Sequence, residues 1–112
     1  MLPKRKRLSR QLIENVIRKG QTTSSKNLTL KYLPFSGLSL FSFVVSIRVN
    51  KKATTRNLLK RRSRHIIRKH SQKIKDGYAY VIIFKVASVN VPFQELETET
   101  ISLFKKANLI ND

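Results

Sequence analysis

A dense run of cations is the part of this sequence whose residue types and spacing could do chemistry. Residues 48–70, RVNKKATTRNLLKRRSRHIIRKH, hold ten Lys or Arg residues and no acid. Guanidinium groups bind phosphate oxygens through paired hydrogen bonds, and ammonium groups bind them as point charges. Because like charges in one helix repel each other, we expect a polyanion outside the chain to supply the negative charge.

The spacing of these residues predicts a helix from about Thr55, with successive side chains about 100° apart. The side that would anchor this helix consists of Leu59, Ser63, Ile66, Ile67 and His70. The adjacent stripe consists of Arg56, Asn57, Lys60, Arg61, Arg64 and Arg68. The alternative interpretation is a solvated basic face, but such a face usually mixes both signs. Twelve of the 24 cations lie between residues 48 and 75 without an acid, which favours polyanion binding without separating RNA from DNA.

The residue types that catalyse reactions or hold metal ions are sparse in this chain. Of the six acids, only Glu95, Glu97 and Glu99 are close together in sequence, and alternate positions on a helix point in different directions. We interpret this group as a solvated early helix turn. His65 and His70 are five positions apart, without the spacing of a metal or nucleophile motif. We therefore predict no catalytic residue and no metal ligand.

Length and composition restrict the class of protein. The 112 residues suffice for one domain, which we place at residues 1–112. The net charge of +18 indicates a nucleic acid or an anionic membrane as partner, and the 40% hydrophobic residues argue for a folded core. Cysteine is absent, and no apolar run approaches the roughly 20 residues needed to cross a bilayer. We expect a cytoplasmic protein without membrane association, with nucleic acid as the stronger candidate partner.

The elements that would position the basic stretch follow from hydrophobic periodicity. Ser9 suits the N-cap of a first helix and Gly20 suits its end. In chain order we predict a helix at 9–19, strands at 28–33 and 38–47 around a turn at 34–37, a helix from about 55, a strand after a turn at 76–77, and a helix after 92. This order predicts a two-layer α+β domain.

The basic stretch and the strand before it resemble the protein component of bacterial ribonuclease P. That family has a strand ending in Val-Ser-Lys-Lys, a basic linker, the triplet Arg-Asn-Arg and further cations. The segment VVSIRVNKKATTRNLLKRRSRHII follows the same pattern. The resemblance extends to LPKRKRL, DGYAYVIIFK and PFQELETETISLFKKANLI. Four positions depart from the residues usual in the family: Ile47 stands for Lys, Leu58 for Arg, Ile13 for Phe and Lys85 for Arg.

The resemblance implies a fold, a function and partners. The fold would be an αβββαβα sandwich, with one sheet, flanking helices and a left-handed crossover. Members of the family bind the catalytic RNA of ribonuclease P and the 5′ leader of precursor tRNA, and the complex removes that leader endonucleolytically. The RNA performs the hydrolysis with magnesium or similar divalent ions that it binds itself, so we expect no cofactor in the protein. A monomer in a complex of one protein and one RNA is expected.

The resemblance also implies roles for individual residues. The resemblance implies contacts with the catalytic RNA for nine residues: Arg48, Lys51, Lys52, Arg56, Asn57, Lys60, Arg61, Arg62 and Arg64. The helical stripe adds Arg68 to these expected contacts. These side chains suit phosphate and sugar contacts, because A-form RNA hides its major groove from side chains. The leader is expected in a cleft between the first helix and one face of the sheet, where an aromatic ring could stack on an unpaired base. Candidates there are Ile13, Ile17, Tyr32, Phe41 and Phe43.

Two other functions and one other cluster stay open at this point. A ribosomal or general RNA-packaging protein would carry the same charge without a role in tRNA processing. A basic membrane-surface protein would bind anionic lipids, but we find no long amphipathic helix of the kind it would use. A second group of cations is interpreted either as a mobile tail or as a second RNA contact: Lys4, Arg5, Lys6, Arg7 and Arg10.

Overall fold

A computed structural model of the protein describes residues 9–35 and 39–111. The cations at positions 4–7 and the second half of the predicted turn at 34–37 lie outside the described residues. In chain order the elements are α1 (Arg10–Lys19), β1 (Gln21–Ser24), β2 (Leu28–Pro34), β3 (Leu40–Val44), α2 (Ala53–His70), β4 (Tyr78–Phe84), a 3₁₀ helix (Val86–Asn90) and α3 (Phe93–Lys106). The order αβββαβα is the one that the resemblance implied.

The four strands form one mixed sheet in the order β1-β2-β4-β3. β2 is antiparallel to both β1 and β4, whereas β3 is parallel to β4. Because parallel neighbours cannot be joined by a tight turn, the chain leaves β3, passes through α2 and returns as β4. The α+β fold with one sheet and flanking helices is thus confirmed. The left-handedness of this crossover stays a prediction.

The first strand is the element that its own residues do not predict. Gln21–Ser24 consists of polar residues, which in sequence indicate a loop. The strand nevertheless pairs with β2 along its whole length, from Gln21 opposite Tyr32 to Ser24 opposite Thr29. It lies at the edge of the sheet and is mostly exposed, so its polar side chains stay in solvent. Pairing with an apolar neighbour, and not its own propensity, makes this segment a strand.

The boundaries around the basic stretch also differ from the prediction. β3 ends at Val44, three residues before the predicted end at Ile47. A turn follows, in which the amide of Val49 donates a hydrogen bond to Ser46 O at 3.0 Å. α2 then begins at Ala53. The basic stretch is therefore a turn, a short loop and a helix.

The sheet buries its two faces against different helices. The main core lies on the side of α2 and α3, and the strand residues in it are Leu28, Leu30, Phe41, Phe43, Tyr80, Ile82 and Phe84. On the opposite face α1 packs Val16 against Ala79 and Val81, and all three are fully buried. The sheet with α2 and α3 makes the two-layer sandwich, and α1 covers part of the second face of the sheet.

Helix α1 has a capped start and a tightly packed end, both at the predicted residues. Ser9 Oγ accepts a hydrogen bond from the amide of Leu12 at 3.2 Å, and the amide of Gly20 donates to Val16 O at 2.8 Å. Gly20 has an ordinary φ of −72°, so a left-handed backbone is not the reason for glycine here. A Cβ at this position would lie 2.4 Å from Val16 O and 2.8 Å from Tyr32 O. Glycine is needed because the backbones of α1 and β2 approach closely.

Replacing Gly20 with alanine is expected to lower the free energy of unfolding by about 1–3 kcal/mol, because the backbone must shift to move the methyl group away from the carbonyls of Val16 and Tyr32. Urea unfolding followed by circular dichroism measures the change. The matched control is Lys19→Ala, an exposed position of the same helix, for which we expect a change within about 0.5 kcal/mol. Equal stability of the two variants would contradict the close approach.

Candidate nucleic-acid interface

The loop that leads from β3 into α2 is held by its own contacts. Val49 is buried in the main core, with 6% of its surface exposed. Asn50 Oδ1 accepts a hydrogen bond from the amide of Lys52 at 2.8 Å. The side chains of Arg48, Lys51 and Lys52 are exposed around this anchored backbone. Such a loop presents cations to a partner with little further ordering of its backbone on binding.

Arg56 braces this loop from the first turns of α2. Its Nη1 donates to Asn50 O at 3.0 Å and to Lys51 O at 2.8 Å, and the side chain is half-buried. A guanidinium has five N–H groups, so Nε and Nη2 still carry three donors that can face a phosphate. The helical projection alone assigns Arg56 to the stripe of cations. The structure adds that this residue connects the loop to the helix.

Helix α2 turns one face into the core and leaves the cations on the remaining faces. Its buried residues are Leu59, Ser63, Ile66 and Ile67, which confirms the predicted anchoring side. His70, the fifth residue of that side, is half-buried at its edge. Among the predicted contact residues of the helix, the exposed ones are Asn57, Arg61 and Arg68, and the half-buried ones are Arg56, Lys60, Arg62 and Arg64.

A cation–π contact ties this helix to the end of the sheet. The Cζ atom of Arg64 lies 5.9 Å from the centre of the Phe43 ring, at a distance where the face of the ring attracts the cation. Phe43 itself is 9% exposed and belongs to the main core. Arg64 therefore marks the border between α2 and β3. The other cations of α2 lie between this border and the solvent-exposed side of the helix, where Arg61 and Arg68 are found.

We call the exposed loop and the outward side of α2 the basic surface. Its members are Arg48, Lys51, Lys52, Arg56, Asn57, Lys60, Arg61, Arg64 and Arg68. On the helix it extends about 18 Å from Arg56 to Arg68, at 1.5 Å per residue. Arg62 is outside it, because it follows Arg61 by about 100° around the helix and shares a flank with Leu58, one turn earlier. Leu58 is half-buried on that flank, whereas Ile47 in the turn is 66% exposed.

No acid neutralises the basic surface within the described part of the chain. Glu97 forms an ion pair with Lys69 at 3.1 Å and a hydrogen bond with His70 at 3.0 Å, and both contacts join α3 to the C-terminal end of α2. The hydrogen bond from His70, followed by that from Lys69, lowers the pKa of Glu97 from its ordinary value. The ring of His65 also faces α3, with its centre 5.8 Å from that of Phe93. Both histidines thus contact α3.

Glu99 has a structural role that corrects the interpretation of the acidic group as solvated. Its carboxylate accepts hydrogen bonds from the hydroxyl of Ser25, from the amide of Asn27 at 2.9 Å and from Asn27 Nδ2 at 2.8 Å. In the same turn, which connects β1 and β2, Ser25 O accepts a hydrogen bond from Lys85 Nζ at 2.5 Å. Glu99 therefore connects α3 to the turn between β1 and β2, and Glu97 connects α3 to α2. The alternate positions do face in different directions, as predicted.

The pKa of Glu99 predicts a loss of stability in acid. Burial alone would raise this pKa, but the hydrogen bonds from Ser25 and Asn27 outweigh burial and lower it from its ordinary value of 4.5. A carboxylate with a lowered pKa in the folded state stabilises the fold above about pH 4.5, and that stabilisation is lost as the pH falls through the lowered pKa. Glu99→Gln is therefore expected to flatten the acid side of the stability profile.

Urea unfolding at a series of pH values between about 6 and 3 measures this effect. The wild-type protein should lose stability towards the acid end, and Glu99→Gln should be less stable at pH 6 and lose less on acidification. Glu95→Gln, at an exposed glutamate of the same helix, is the matched control for the change in charge. Parallel profiles of the wild type and Glu99→Gln would contradict the role of this carboxylate.

The five residues predicted to line a leader-binding cleft do not lie together. Ile13 and Ile17 are one turn apart on α1, and Ile13 packs with the buried cluster around Val16. In contrast, Phe41 and Phe43 are at most 9% exposed and, like Tyr32, belong to the main core on the other face of the sheet. The ring of Phe41 stacks on Tyr80 with centroids 5.1 Å apart. Placing Tyr32, Phe41 and Phe43 in one cleft with the α1 residues was wrong.

The sheet face beside α1 is lined by other residues, which sequence reasoning missed. Strand positions alternate between faces, so the neighbours of the core residues face α1. The half-buried ones among them are Thr29, Lys31, Leu33, Leu40, Ser42, Val44 and Ile83. In the sequence, these residues are marked only by their alternate positions along each strand. Alternation shows which residues share a face of the sheet, but it does not show which face a helix covers.

The described residues contain no group of three or more His, Cys, Asp or Glu side chains that could hold a metal ion. In the same part of the chain, no helix has both the length and the apolar character required to cross a bilayer. The guanidinium and ammonium groups of the basic surface, with the amide of Asn57, are groups that bind phosphate and sugar.

Similarity to known proteins extends over nearly the whole chain. Residues 2–108 match the family model described as Ribonuclease P. The chain is 34% identical over 113 residues to the ribonuclease P protein component of Synechocystis sp., covering 98% of this chain and 91% of that protein. It is 31% identical over 99 residues to that of Phytoplasma australiense, covering 88% and 86%. The solved structure of the RNase P protein from Thermotoga maritima has the same fold, with a TM-score of 0.82, 24% identity and coverage of 89% and 96%.

Proposed function

The chain belongs to the family of bacterial ribonuclease P protein components, and on that premise we propose that its basic surface binds the catalytic RNA of ribonuclease P. As a protein component of ribonuclease P, the chain has the ribonuclease P RNA as its partner and acts in the 5′ processing of tRNA. The observation that carries the proposal is the basic surface, whose cations have no acid in contact with them among the described residues.

The arrangement of the basic surface suits the backbone of a folded RNA. The cations of α2 differ in how firmly they are held, because Arg56 and Arg64 have contacts within the protein while Arg61 and Arg68 are exposed. Held guanidinium groups can accept a phosphate without losing much side-chain freedom, and exposed ones can adjust to the path of the strand. We therefore assign phosphate and sugar contacts to this surface. Arg62 would contact the RNA from its own flank.

We propose that the leader of precursor tRNA lies on the sheet face beside α1. The opposite face is closed, because α2 and α3 cover it with the main core. Beside α1, Ile17 is 38% exposed and Lys31 is half-buried, so an apolar and a cationic contact are both available. The leader would reach this face while the RNA partner occupies the basic surface. In this arrangement the protein offsets repulsion between the two RNA molecules.

The remaining parts of the proposal concern catalysis and assembly. We propose that the RNA performs the hydrolysis with magnesium or similar divalent ions that it binds, and that this chain supplies electrostatic support and no catalytic group. One protein monomer would assemble with one RNA. The complex would act in the cytoplasm, where precursor tRNA is available in bacteria.

A cleavage assay tests this proposal. Ribonuclease P RNA from the same organism and a precursor tRNA are incubated at low magnesium with and without the protein. The protein is expected to raise the rate of leader removal, because it supplies positive charge that the scarce ions cannot. A polylysine of similar charge is the control, and it should not reproduce the effect. Cleavage that the protein does not stimulate would favour a ribosomal or general RNA-packaging protein instead.

A further inference from the structure

The aromatic residues of this chain are almost all on one side of the sheet. The sequence has three Tyr, six Phe and no Trp, and the structure describes all nine rings. Eight belong to the main core with α2 and α3: Tyr32, Phe41, Phe43, Tyr78, Tyr80, Phe84, Phe93 and Phe104. The ninth, Phe35, follows β2 and packs with the cluster under α1. No other ring is available to the face beside α1.

The face beside α1 displays, in two rows of residues, hydroxyls and an ammonium group on β1 and β2, and aliphatic groups with the one hydroxyl of Ser42 on β4 and β3. The strand register gives one row of Ser24, Thr29, Ile83 and Val44, and a second row of Thr22, Lys31, Val81 and Ser42. Ser24 and Thr29 place their hydroxyl oxygens 3.0 Å apart, and Lys31 Nζ donates to Thr22 Oγ1 at 2.9 Å. Phe35 is six residues along the chain from Thr29 and four from Lys31, which corresponds to about 20 Å and about 13 Å along an extended strand, so it lies beyond stacking distance of both rows.

Resting on the proposed function, we propose that the single-stranded leader crosses this face without stacking a base on a protein ring. The hydroxyls of Thr29 and Ser42 and the ammonium of Lys31 contact ribose and phosphate groups, and Ile17 and Val44 provide apolar surface. A stacked base contributes roughly 5- to 150-fold to affinity in other single-strand binding proteins, and here that contribution is absent. The face therefore binds the leader by its backbone and tolerates any base.

Removing leader bases tests this inference directly. The dissociation constant of the complete ribonuclease P complex is measured for three substrates: precursor tRNA, the same precursor with abasic sites in the leader, and tRNA without a leader. We expect the abasic substrate to bind within about twofold of the intact one, and the leaderless tRNA to bind more weakly. An abasic substrate that binds about tenfold or more weakly would overturn the inference, because bases would then be stacked on Phe35 or on a guanidinium.

The leaderless tRNA separates this inference from the function it rests on. If the loss of the leader leaves the affinity unchanged, the leader contact of the proposed function fails and the inference fails with it. If the loss of the leader and the loss of its bases weaken binding equally, the leader contact holds and only the inference fails.

A ring introduced on this face provides the converse test. Ile17 is 38% exposed, so Ile17→Phe can place an aromatic group there without repacking the core. We expect this variant to bind the intact leader roughly fivefold or more tightly and to show no gain with the abasic leader. Ile17→Leu, which changes the shape of the side chain without adding an aromatic ring, is the matched control. No gain for the intact leader would overturn the placement of the leader beside Ile17.

Discussion

Replacing Lys60 and Arg61 together with glutamate is expected to abolish assembly with ribonuclease P RNA. Both residues belong to the basic surface, and in the part of the chain that the structure describes no acid contacts them. Each replacement removes a charged hydrogen bond of about 1.5–3 kcal/mol to phosphate and adds a repulsive carboxylate. The affinity should therefore fall by roughly 100-fold or more. Titration of labelled RNA in a filter-binding assay at fixed salt measures the loss.

The matched control for this variant is Lys73→Glu combined with Lys106→Glu. Both lysines are exposed outside the basic surface, and the double replacement changes the net charge by the same amount. We expect the control to lose far less affinity, and circular dichroism should show the same helical content in both variants. Equal losses would mean that overall charge, and not this surface, determines binding.

The affinity for the RNA is expected to fall by about three to five orders of magnitude between 50 mM and 200 mM monovalent salt, if six to ten phosphates are contacted. Each cation that neutralises a phosphate releases counterions, so the logarithm of the binding constant falls linearly with the logarithm of the salt concentration. Equilibrium titrations at four or more salt concentrations give the slope. A slope near zero would contradict a surface that binds by phosphate contacts.

A single replacement makes the salt experiment specific to a residue. Arg61→Ala should make the slope shallower by about one, because one phosphate contact is lost. Lys73→Ala, at an exposed cation outside the basic surface, should leave the slope unchanged. If both variants reduce the slope equally, the RNA contacts extend beyond the basic surface that the structure defines.

Three of the five acids that the structure describes have contacts within the fold and away from the basic surface. Glu97 joins α3 to α2, Glu99 joins α3 to the turn between β1 and β2, and Asp76 accepts a hydrogen bond from Ser39 at 3.3 Å. Self-repulsion among the cations costs folding free energy, and the apolar core must offset it. Binding of RNA would relieve that repulsion. Because Glu97, Glu99 and Asp76 contact residues outside the basic surface, they do not neutralise its cations.

The helix with the basic surface could be predicted closely because its signal is local. The spacing of Leu59, Ser63, Ile66 and Ile67 identifies the buried face, and the cations around them fall outside it. The role of Arg56 could not be predicted in this way. Its two hydrogen bonds reach backbone carbonyls of the loop, whose path depends on where β3 ends.

Contacts between distant parts of the chain account for the other differences. β1 becomes a strand because β2 is beside it, and its polar residues carry no signal of that neighbour. Glu99 bonds to residues 25 and 27, more than seventy positions away in sequence. Spacing within α3 shows that Glu97 and Glu99 face in different directions, but it cannot show what they face.

The sequence by itself determined a basic α+β domain with twelve of its 24 cations between residues 48 and 75, because charge and hydrophobic period are properties of neighbouring residues. Its motifs, and not its charge or period, carried the resemblance to the ribonuclease P protein family. Only the tertiary structure decided which face of the sheet is closed. Phe41 and Phe43 alternate with Ser42 and Val44 in the same way whichever face the helices cover, and the packing of α2 and α3 assigns the rings to the core. That packing leaves the hydroxyl, lysine and aliphatic residues beside α1.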